Sequence, residues 1–156
     1  MDPNESNAQR EEFLTFRLGQ EEYAIDILQV REIRAQEPVT RIADAATFVM
    51  GIINLRGAIV PILDLRLKFG LPHASEASTV VIILSLEGRF LGVVVDAVSD
   101  VVSMLPEQIR PAPALNGAID SSFIRGIAPV DGRMLIVADV AALVKSPGDM
   151  PEALAA

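Results

Sequence analysis

The chain contains an internal repeat. Residues 51–67 read G-I-I-N-L-R-G-A-I-V-P-I-L-D-L-R-L, and residues 126–143 read G-I-A-P-V-D-G-R-M-L-I-V-A-D-V-A-A-L. Adding 75 to a position in the first copy gives its match in the second, and the identical pairs include Gly51 with Gly126, Gly57 with Gly132, and Asp64 with Asp139. A long period with two copies is typical of a duplicated domain and not of a solenoid.

A second match joins the segments that precede these copies. At a shift of 68, residues 13–18 match residues 81–86, and the apolar pairs beyond them are Val30 with Val98 and Ile33 with Val101. Because 75 minus 68 is seven, the second half holds seven extra residues between its two matching blocks. The pattern therefore predicts two similar halves.

Alternating apolar residues and turn signals predict short strands in both halves. We expect strands at 13–18, 23–27, 39–42, 51–53, 58–63, 79–86, 90–95, 96–104, 123–128 and 134–137, with a helical turn leading into a strand over 28–34. Turns are expected at 54–57 and 129–132. Pro61 lacks a backbone donor, which favours an edge strand or a bulge. Asp44, Asp64 and Asp139 can cap helical segments at 45–50, 65–69 and 140–145.

Hydrophobic residues make up 51% of the chain and aromatic residues only 4%. A core built from Val, Ile, Leu and Ala favours strands. We therefore predict a mostly all-β chain in which two similar five-stranded barrels, at about 12–70 and 79–145, pack together and each hairpin is followed by a short helix. Residues 71–78 read as a linker, residues 1–11 as a disordered tail without signal-peptide character, and residues 146–156 as a loose tail.

The sequence offers little for catalysis or cofactor binding. His73 is the one histidine and there is no cysteine, so neither a histidine cluster nor a thiolate metal site is expected, and no cofactor is predicted. Phosphate-binding glycine motifs are missing as well. A net charge of -8 with few aromatic residues argues against nucleic-acid binding. No apolar run approaches the roughly 20 residues needed to cross a bilayer. These observations favour a binding module.

The tip of the first hairpin carries Leu55 beside Arg56. An arginine next to apolar surface is a common anchor for a protein partner, although a solvated tip is the plainer interpretation. Residues 31–68 hold six cations and four anions, which gives this window a charge of +2 in an acidic chain. Such an Arg-rich patch suits recognition of carboxylates on another protein, or it is a set of unrelated solvated side chains.

Taken together, several motifs resemble the CheW family of chemotaxis adaptors. They are E-F-L-T-F-R-L-G at 12–19, Y-A-I-D-I at 23–27, V-R-E-I-R at 30–34, N-L-R-G at 54–57, P-I-L-D-L-R at 61–66 and Q-I-R-P-A-P at 108–113. N-L-R-G followed by P-x-x-D-L-R is specific to this family and to the related regulatory domain of the histidine kinase CheA. The resemblance extends from about Glu12 to Lys145. It implies two SH3-like barrels, with exchange of strands between the halves as an open alternative.

The resemblance also implies a function. The chain would be a non-catalytic, cytoplasmic adaptor, monomeric when free and not inserted into the membrane, that links the cytoplasmic tip of chemoreceptors to the CheA regulatory domain in membrane-associated arrays. Receptor contact is expected at Val30, Glu32, Ile33, Gly51 and Arg56, and kinase contact at Leu14, Gly57 and Leu63. Arg56 either reaches a receptor carboxylate or braces Glu32 within the chain.

Three other interpretations stay open at this point. One is an adaptor of the same family for a different kinase pathway, such as surface motility. Another is a small acidic hydrolase that uses paired carboxylates, with Asp64 and Asp139 as candidates. The third is an oligonucleotide-binding barrel, which the charge and the aromatic content oppose.

Overall fold

The structure, a computed structural model, describes residues 10–35, 37–43, 49–68, 79–86, 88–111 and 123–144. Its strands are β1 (Glu11–Leu18), β2 (Glu21–Asp26), β3 (Val30–Ala35), β4 (Val49–Leu55), β5 (Ala58–Asp64), β6 (Val80–Leu86), β7 (Arg89–Val95), β8 (Ala97–Met104), β9 (Ile124–Val130) and β10 (Arg133–Ala138). A four-residue α-helix covers Leu65–Lys68, and 3₁₀ segments cover Ile27–Gln29, Pro106–Gln108 and Val140–Val144. Within the described ranges, every helix is too short or too polar to cross a bilayer.

The strands form two five-stranded sheets. Sheet A has the order β8-β1-β2-β10-β9, and sheet B has the order β3-β6-β7-β5-β4. Neighbouring strands are antiparallel except for two parallel pairs, β2 with β10 and β5 with β7. The prediction of a mostly β chain with two five-stranded units is confirmed. The SH3-like form of each unit is compatible with these sheets and stays a prediction.

The duplication is visible in the strand order. Moving β4 (Val49–Leu55) by 75 positions gives the bounds of β9 (Ile124–Val130). The shift of 68 places β1, β2 and β3 on β6, β7 and β8, and the shift of 75 places β5 on β10. Replacing each strand of sheet A by its counterpart reproduces the order of sheet B. Each sheet therefore combines the first two strands of one copy with the last three of the other.

This exchange has a consequence for the predicted sub-barrels. The strands in the ranges 12–70 and 79–145 are mixed in both sheets, so each sheet depends on both halves of the chain. Neither half contains a whole sheet. We therefore expect the two sheets to fold as one cooperative unit. The outer limits of the domain stay a prediction, and the linker and the two tails lie outside the described residues, as does His73.

A backbone bridge joins the two outer strands of each sheet. After β3, the chain crosses to the opposite outer strand, where Thr40 exchanges two hydrogen bonds of 2.9 Å with Ile52 of β4. In sheet A, Arg110 exchanges two bonds of 2.8 Å with Ile127 of β9. Each sheet thus closes on itself. The strand predicted over 39–42 is reduced to this single bridge.

The repeated glycines lie under these bridges. A Cβ atom on Gly51 would come within 2.3 Å of the Thr40 carbonyl oxygen, and one on Gly126 within 2.4 Å of the Arg110 carbonyl oxygen. Real Cβ atoms do not approach backbone oxygen so closely. The identity of these glycines between the two copies therefore follows from the closure of the two sheets.

For Pro61 the predicted edge strand is wrong, whereas the predicted bulge is close by, because the β4–β5 register shifts between Val49 and Gly51, beside the Ile52–Pro61 pair. Pro61 lies in β5, which is between β7 and β4 and is not an edge strand. Its partner in β4 is Ile52, whose backbone groups bond to Thr40 on the other side. The backbone nitrogen of Pro61 therefore points away from β4 and towards β7. The pairing with β7 begins one residue later, at Ile62. The missing N–H is tolerated because no ladder position requires it.

Other boundaries also differ from the prediction. The turns are shorter than 54–57 and 129–132, because the flanking residues belong to strands and only Arg56-Gly57 and Asp131-Gly132 turn. Both Arg56 and Asp131 have positive φ, at 50° and 51°. The helical turn predicted over 45–50 is wrong at its end, where Val49 and Met50 belong to β4; residues 44–48 lie outside the described part.

Among the residues that the structure describes, the buried apolar side chains form three clusters. The largest lies between the sheets and includes Phe16 and Tyr23 from sheet A and Leu63, Leu84 and Val93 from sheet B. Two smaller clusters belong to sheet A and to sheet B separately. The aromatic rings of Phe16 and Tyr23 are stacked with their centroids 5.7 Å apart. The shared cluster supplies the common interface that two such small units need.

Tyr23 provides a spectroscopic test of this core. Burial, with a smaller contribution from the charge of Glu21, raises the pKa of its phenol from 10.0 to about 12. The folded state keeps the proton where the unfolded state loses it. Its contribution to stability, about 2–3 kcal/mol for a shift of this size, is therefore complete below pH ~10 and lost as the pH rises towards 12.

Because Tyr23 is the one tyrosine and the chain has no tryptophan, absorbance at 295 nm reports on it alone. We expect a titration midpoint near 12 in the native protein and near 10 in denaturant. A native midpoint near 10 would contradict the burial of Tyr23.

Candidate functional site

The tip of the first hairpin reaches over the outer strand β3. Nη2 of Arg56 donates to Oε1 of Glu32 at 2.8 Å, and the two side chains are 63% and 29% exposed. Arg34 donates to Glu37 at 3.3 Å and lies 4.0 Å from Glu32. The structure therefore contains the bracing contact between Arg56 and Glu32. As an exposed ion pair, it contributes about 0–1 kcal/mol to stability.

The five residues expected at the receptor contact all belong to sheet B, but they differ in accessibility. Val30 is half-buried and packs on the shared core. Ile33 is 46% exposed and, one residue after Glu32, points to the opposite face of the strand. Gly51 is buried beneath Thr40, where it supports the backbone. We call the solvent-accessible part, namely the exposed Ile33 and Arg56 and the half-buried Glu32 and Arg34, the β3 patch.

A similar patch lies on sheet A, with its acid and its apolar residue at equivalent positions and its arginine at a different one. Adding 68 to Glu32 and Ile33 gives Asp100 and Val101 on the outer strand β8. Arg133, just after the second hairpin tip, donates to the two Asp100 oxygens at 3.3 and 3.4 Å. Val101 is 49% exposed, close to the value for Ile33. We call Asp100, Val101 and Arg133 the β8 patch.

Asp100, the acid of the β8 patch, makes more hydrogen bonds than Glu32, its counterpart in the β3 patch. The buried Thr15 hydroxyl donates to the Asp100 carboxylate and accepts from its backbone N–H at 3.0 Å. The hydrogen bond that the carboxylate accepts from Thr15, followed by those from Arg133, lowers the pKa of Asp100 against the opposing effect of its partial desolvation. Arg133 also donates to Glu22 at 3.1 Å. Asp100 is therefore ionised at neutral pH, and its position is fixed by the underlying strand β1.

The three residues expected at the kinase contact do not form one exposed surface. Leu14 and Leu63 are 3% and 0% exposed and belong to the shared core. Gly57 is exposed, but it lies beside Arg56 at the same hairpin tip. In this conformation the Leu14 and Leu63 side chains offer no surface to a partner.

Arg66, one of the six cations in the Arg-rich window 31–68, belongs to a buried charge network and not to a surface patch. The sequence pattern did not predict this network. Arg66 is 2% exposed and donates to both oxygens of Asp64, from Nε at 3.0 Å and from Nη2 at 2.9 Å. Its Nη1 donates to Asp96 at 3.2 Å. The hydrogen bonds to Asp64, more than any other contact, raise the pKa of Arg66. We call these three residues the Arg66 network.

The predicted caps are present at both hairpins. Asp64 accepts from the backbone N–H of Arg66 at 3.0 Å, and Asp139 accepts from that of Ala141 at 3.1 Å. Since Arg66 engages both oxygens of Asp64, this carboxylate is committed to the fold, which weakens the hydrolase interpretation. In the part of the chain that the structure describes, His, Asp and Glu form no group of three that could hold a metal ion.

Comparison with known proteins gives a consistent result. Residues 12–148 match the sequence model of the CheW-like domain. Chemotaxis protein CheW of Klebsiella aerogenes is 50% identical, over 87% of this chain and 82% of that protein. A probable chemotaxis protein CheW of Rhizobium etli is 37% identical, over 85% and 86%.

A solved structure extends the similarity to the fold. The crystal structure of the scaffolding protein TtCheW from Thermoanaerobacter tengcongensis superposes with a TM-score of 0.82 and 34% identity, covering 90% of this chain and 97% of that one. The resemblance noted in the motifs is thereby confirmed over nearly the whole chain. The chain belongs to the CheW-like domain family.

Proposed function

We propose that this protein is a non-catalytic adaptor that couples chemoreceptors to the histidine kinase CheA. The observation that carries the proposal is the pair of similar surface patches, one on each sheet, joined by one common core. A chain with two such surfaces can hold two proteins beside each other. Membership of the CheW-like family and the similarity to a scaffolding protein support the same function.

The chemoreceptor tip binds, in this proposal, at the β3 patch. The resemblance assigns this contact to Val30, Glu32, Ile33, Gly51 and Arg56, and the structure gives Ile33 the exposure that an apolar anchor requires. Its charged neighbours Glu32 and Arg34 point to the other face of β3, so this outer strand offers an apolar contact on one face and charged contacts on the other. Arg56 stays available to a receptor carboxylate because its ion pair with Glu32 is largely exposed.

The CheA regulatory domain binds, in this proposal, at a second surface, the β8 patch. Gly57 shares its hairpin tip with Arg56, and Leu14 and Leu63 are buried, so these residues supply no separate surface. The β8 patch resembles the β3 patch in its chemistry: one exposed apolar residue, Val101, follows an acid, Asp100, that is paired with an arginine. The protein would act in the cytoplasm, as a monomer when free, and be recruited to membrane-associated receptor arrays.

Two matched substitutions test the proposal. Ile33 and Val101 occupy equivalent positions with similar exposure, so aspartate at either should be tolerated by the fold. Val30 is less suitable because it packs on the core. In pull-down assays, Ile33→Asp should lose the receptor tip and keep CheA, whereas Val101→Asp should lose CheA and keep the receptor. A charged residue at the centre of an interface costs at least about 2 kcal/mol, or roughly 30-fold in affinity.

Each variant is the control for the other, and circular dichroism checks that both are folded. Loss of both partners in either folded variant would contradict the model of two separate surfaces. Unchanged binding of both partners in the two variants would also contradict it.

A further inference from the structure

The Arg66 network lies where the two sheets meet. Asp64 ends β5 of sheet B, and Arg66 belongs to the helix that follows. Asp96 lies in the bend between β7 of sheet B and β8 of sheet A. Its second carboxylate oxygen accepts from the backbone N–H of Gly19, in the β1–β2 turn of sheet A, at 2.6 Å. The network therefore forms a continuous chain of hydrogen bonds from one sheet to the other.

The backbone continues this link. The N–H of Asp96 donates to the carbonyl oxygen of Arg17, in β1, at 3.0 Å. Asp96 is thus fixed to sheet A through Arg17 and Gly19, and to sheet B through Arg66. In contrast, the ion pair of Glu32 with Arg56 stays within sheet B, and that of Asp100 with Arg133 stays within sheet A.

The residues that the duplication relates to Arg66 and Asp96 cannot form the same link between the sheets. Adding 75 to Arg66 gives Ala141, which has no side chain that could reach across. Subtracting 68 from Asp96 gives Leu28, which is 88% exposed. At the positions equivalent to Arg66 and Asp96 the duplication therefore places two apolar residues, Ala141 from the second copy and Leu28 from the first, and only the counterpart of Asp64, Asp139, is an acid. Apolar contact between the sheets resists separation but constrains angle weakly, whereas an arginine fork fixes geometry.

We propose that the Arg66 network fixes the orientation of sheet A relative to sheet B, and that Arg66 is thereby a positioning residue for coupling. This part rests on the proposed function, since the two patches lie on different sheets. Without the network each patch keeps its own residues and its own partner. The orientation between the two bound partners, however, is no longer fixed, and receptor control of the kinase is lost.

The test measures the orientation directly, without any partner. Ala35 and Ser103 are exposed, equivalent positions on the outer strands β3 and β8. The chain has no cysteine, so Ala35→Cys with Ser103→Cys gives a clean pair of spin-label sites. Pulsed electron paramagnetic resonance then reports the distribution of distances between the sheets. Asp96→Ala removes the carboxylate that joins Arg66 to Gly19, keeps the backbone hydrogen bond to Arg17 and leaves the Asp64–Arg66 pair in place. Asp139→Ala, which removes a cap only, is the control.

We expect a narrow distribution in the labelled parent and in Asp139→Ala, and a broad or displaced one in Asp96→Ala. An unchanged distribution in folded Asp96→Ala would overturn the proposal. If Asp96→Ala does not fold, Arg66→Lys replaces it, because lysine keeps the charge without the fork. A distribution as narrow as that of the parent in Arg66→Lys would equally overturn it.

A functional readout completes the test. With receptor and CheA present, Asp96→Ala should still bind each partner separately but lose receptor control of kinase activity. Retained control together with a broadened distribution would overturn the positioning role of Arg66. If the parent chain binds neither partner, the proposed adaptor function fails, whereas the distance measurement still decides whether the network orients the sheets.

Discussion

Arg66→Met should lower the free energy of unfolding by about 3–5 kcal/mol, the usual cost of removing one partner from a buried ion pair. Methionine fills much of the volume of arginine but leaves the Asp64 carboxylate, which is 1% exposed, without its counter-charge. Asp96 loses its contact with Arg66 as well and keeps the backbone N–H of Gly19. Most small domains are stable by only about 5–15 kcal/mol, so this variant should be close to the limit of folding.

Urea denaturation followed by circular dichroism measures this effect. The matched control is Arg133→Met, because Arg133 also contacts two acids but is 29% exposed in the β8 patch. Its loss should cost no more than about 1 kcal/mol. Equal costs for the two variants would show that Arg66 is solvated in solution, in conflict with the structure.

Gly51→Ala should destabilise the protein by roughly 2–5 kcal/mol, from the combination of backbone strain and overpacking. Gly51 has φ +152°, and the added Cβ atom would lie 2.3 Å from the Thr40 carbonyl oxygen. The clash is with backbone, so a side-chain rotation cannot relieve it. The bridge between Thr40 and Ile52 must move, and with it the closure of sheet B.

Gly126→Ala should disturb the closure of sheet A by overpacking alone, through the Arg110 carbonyl oxygen at 2.4 Å, because Gly126 lacks the positive φ of Gly51. Gly88→Ala is the control, because Gly88 also has a positive φ but nothing lies within 4 Å of its added Cβ. That variant carries only the left-handed backbone cost, about 1–2 kcal/mol. Thermal unfolding of the three variants separates the contributions. A Gly51→Ala cost equal to that of Gly88→Ala would contradict the close approach at Thr40.

Much of the fold was predictable because the sequence contains two copies of the same strand and turn pattern. Strands β4 and β9 were located by the shift of 75, and the buried run at 79–86 gave β6 within one residue. The role of Pro61 was not predictable. It depends on Thr40 taking the backbone groups of Ile52, and this contact is visible only when the sheet is closed.

The site was predicted less completely than the fold. Glu32, Ile33 and Arg56 came from the resemblance, and the structure leaves them accessible. Leu14 was on the apolar face of a predicted strand, and that pattern indicates burial more strongly than it indicates a partner contact. Arg66 looked like a surface cation because its partner Asp96 is 30 residues away in the chain. Sequence pattern alone does not bring such residues together.

Formation of a three-component complex tests the central claim most directly. Size-exclusion chromatography with light scattering would be run on a chemoreceptor tip fragment, the CheA regulatory domain and this chain, in pairs and together. We predict that the chain binds each partner alone and that all three co-elute when mixed, because the two patches lie on different sheets. If the two partners displace each other from the chain, or if the folded chain binds neither, the account of an adaptor with two separate surfaces is wrong.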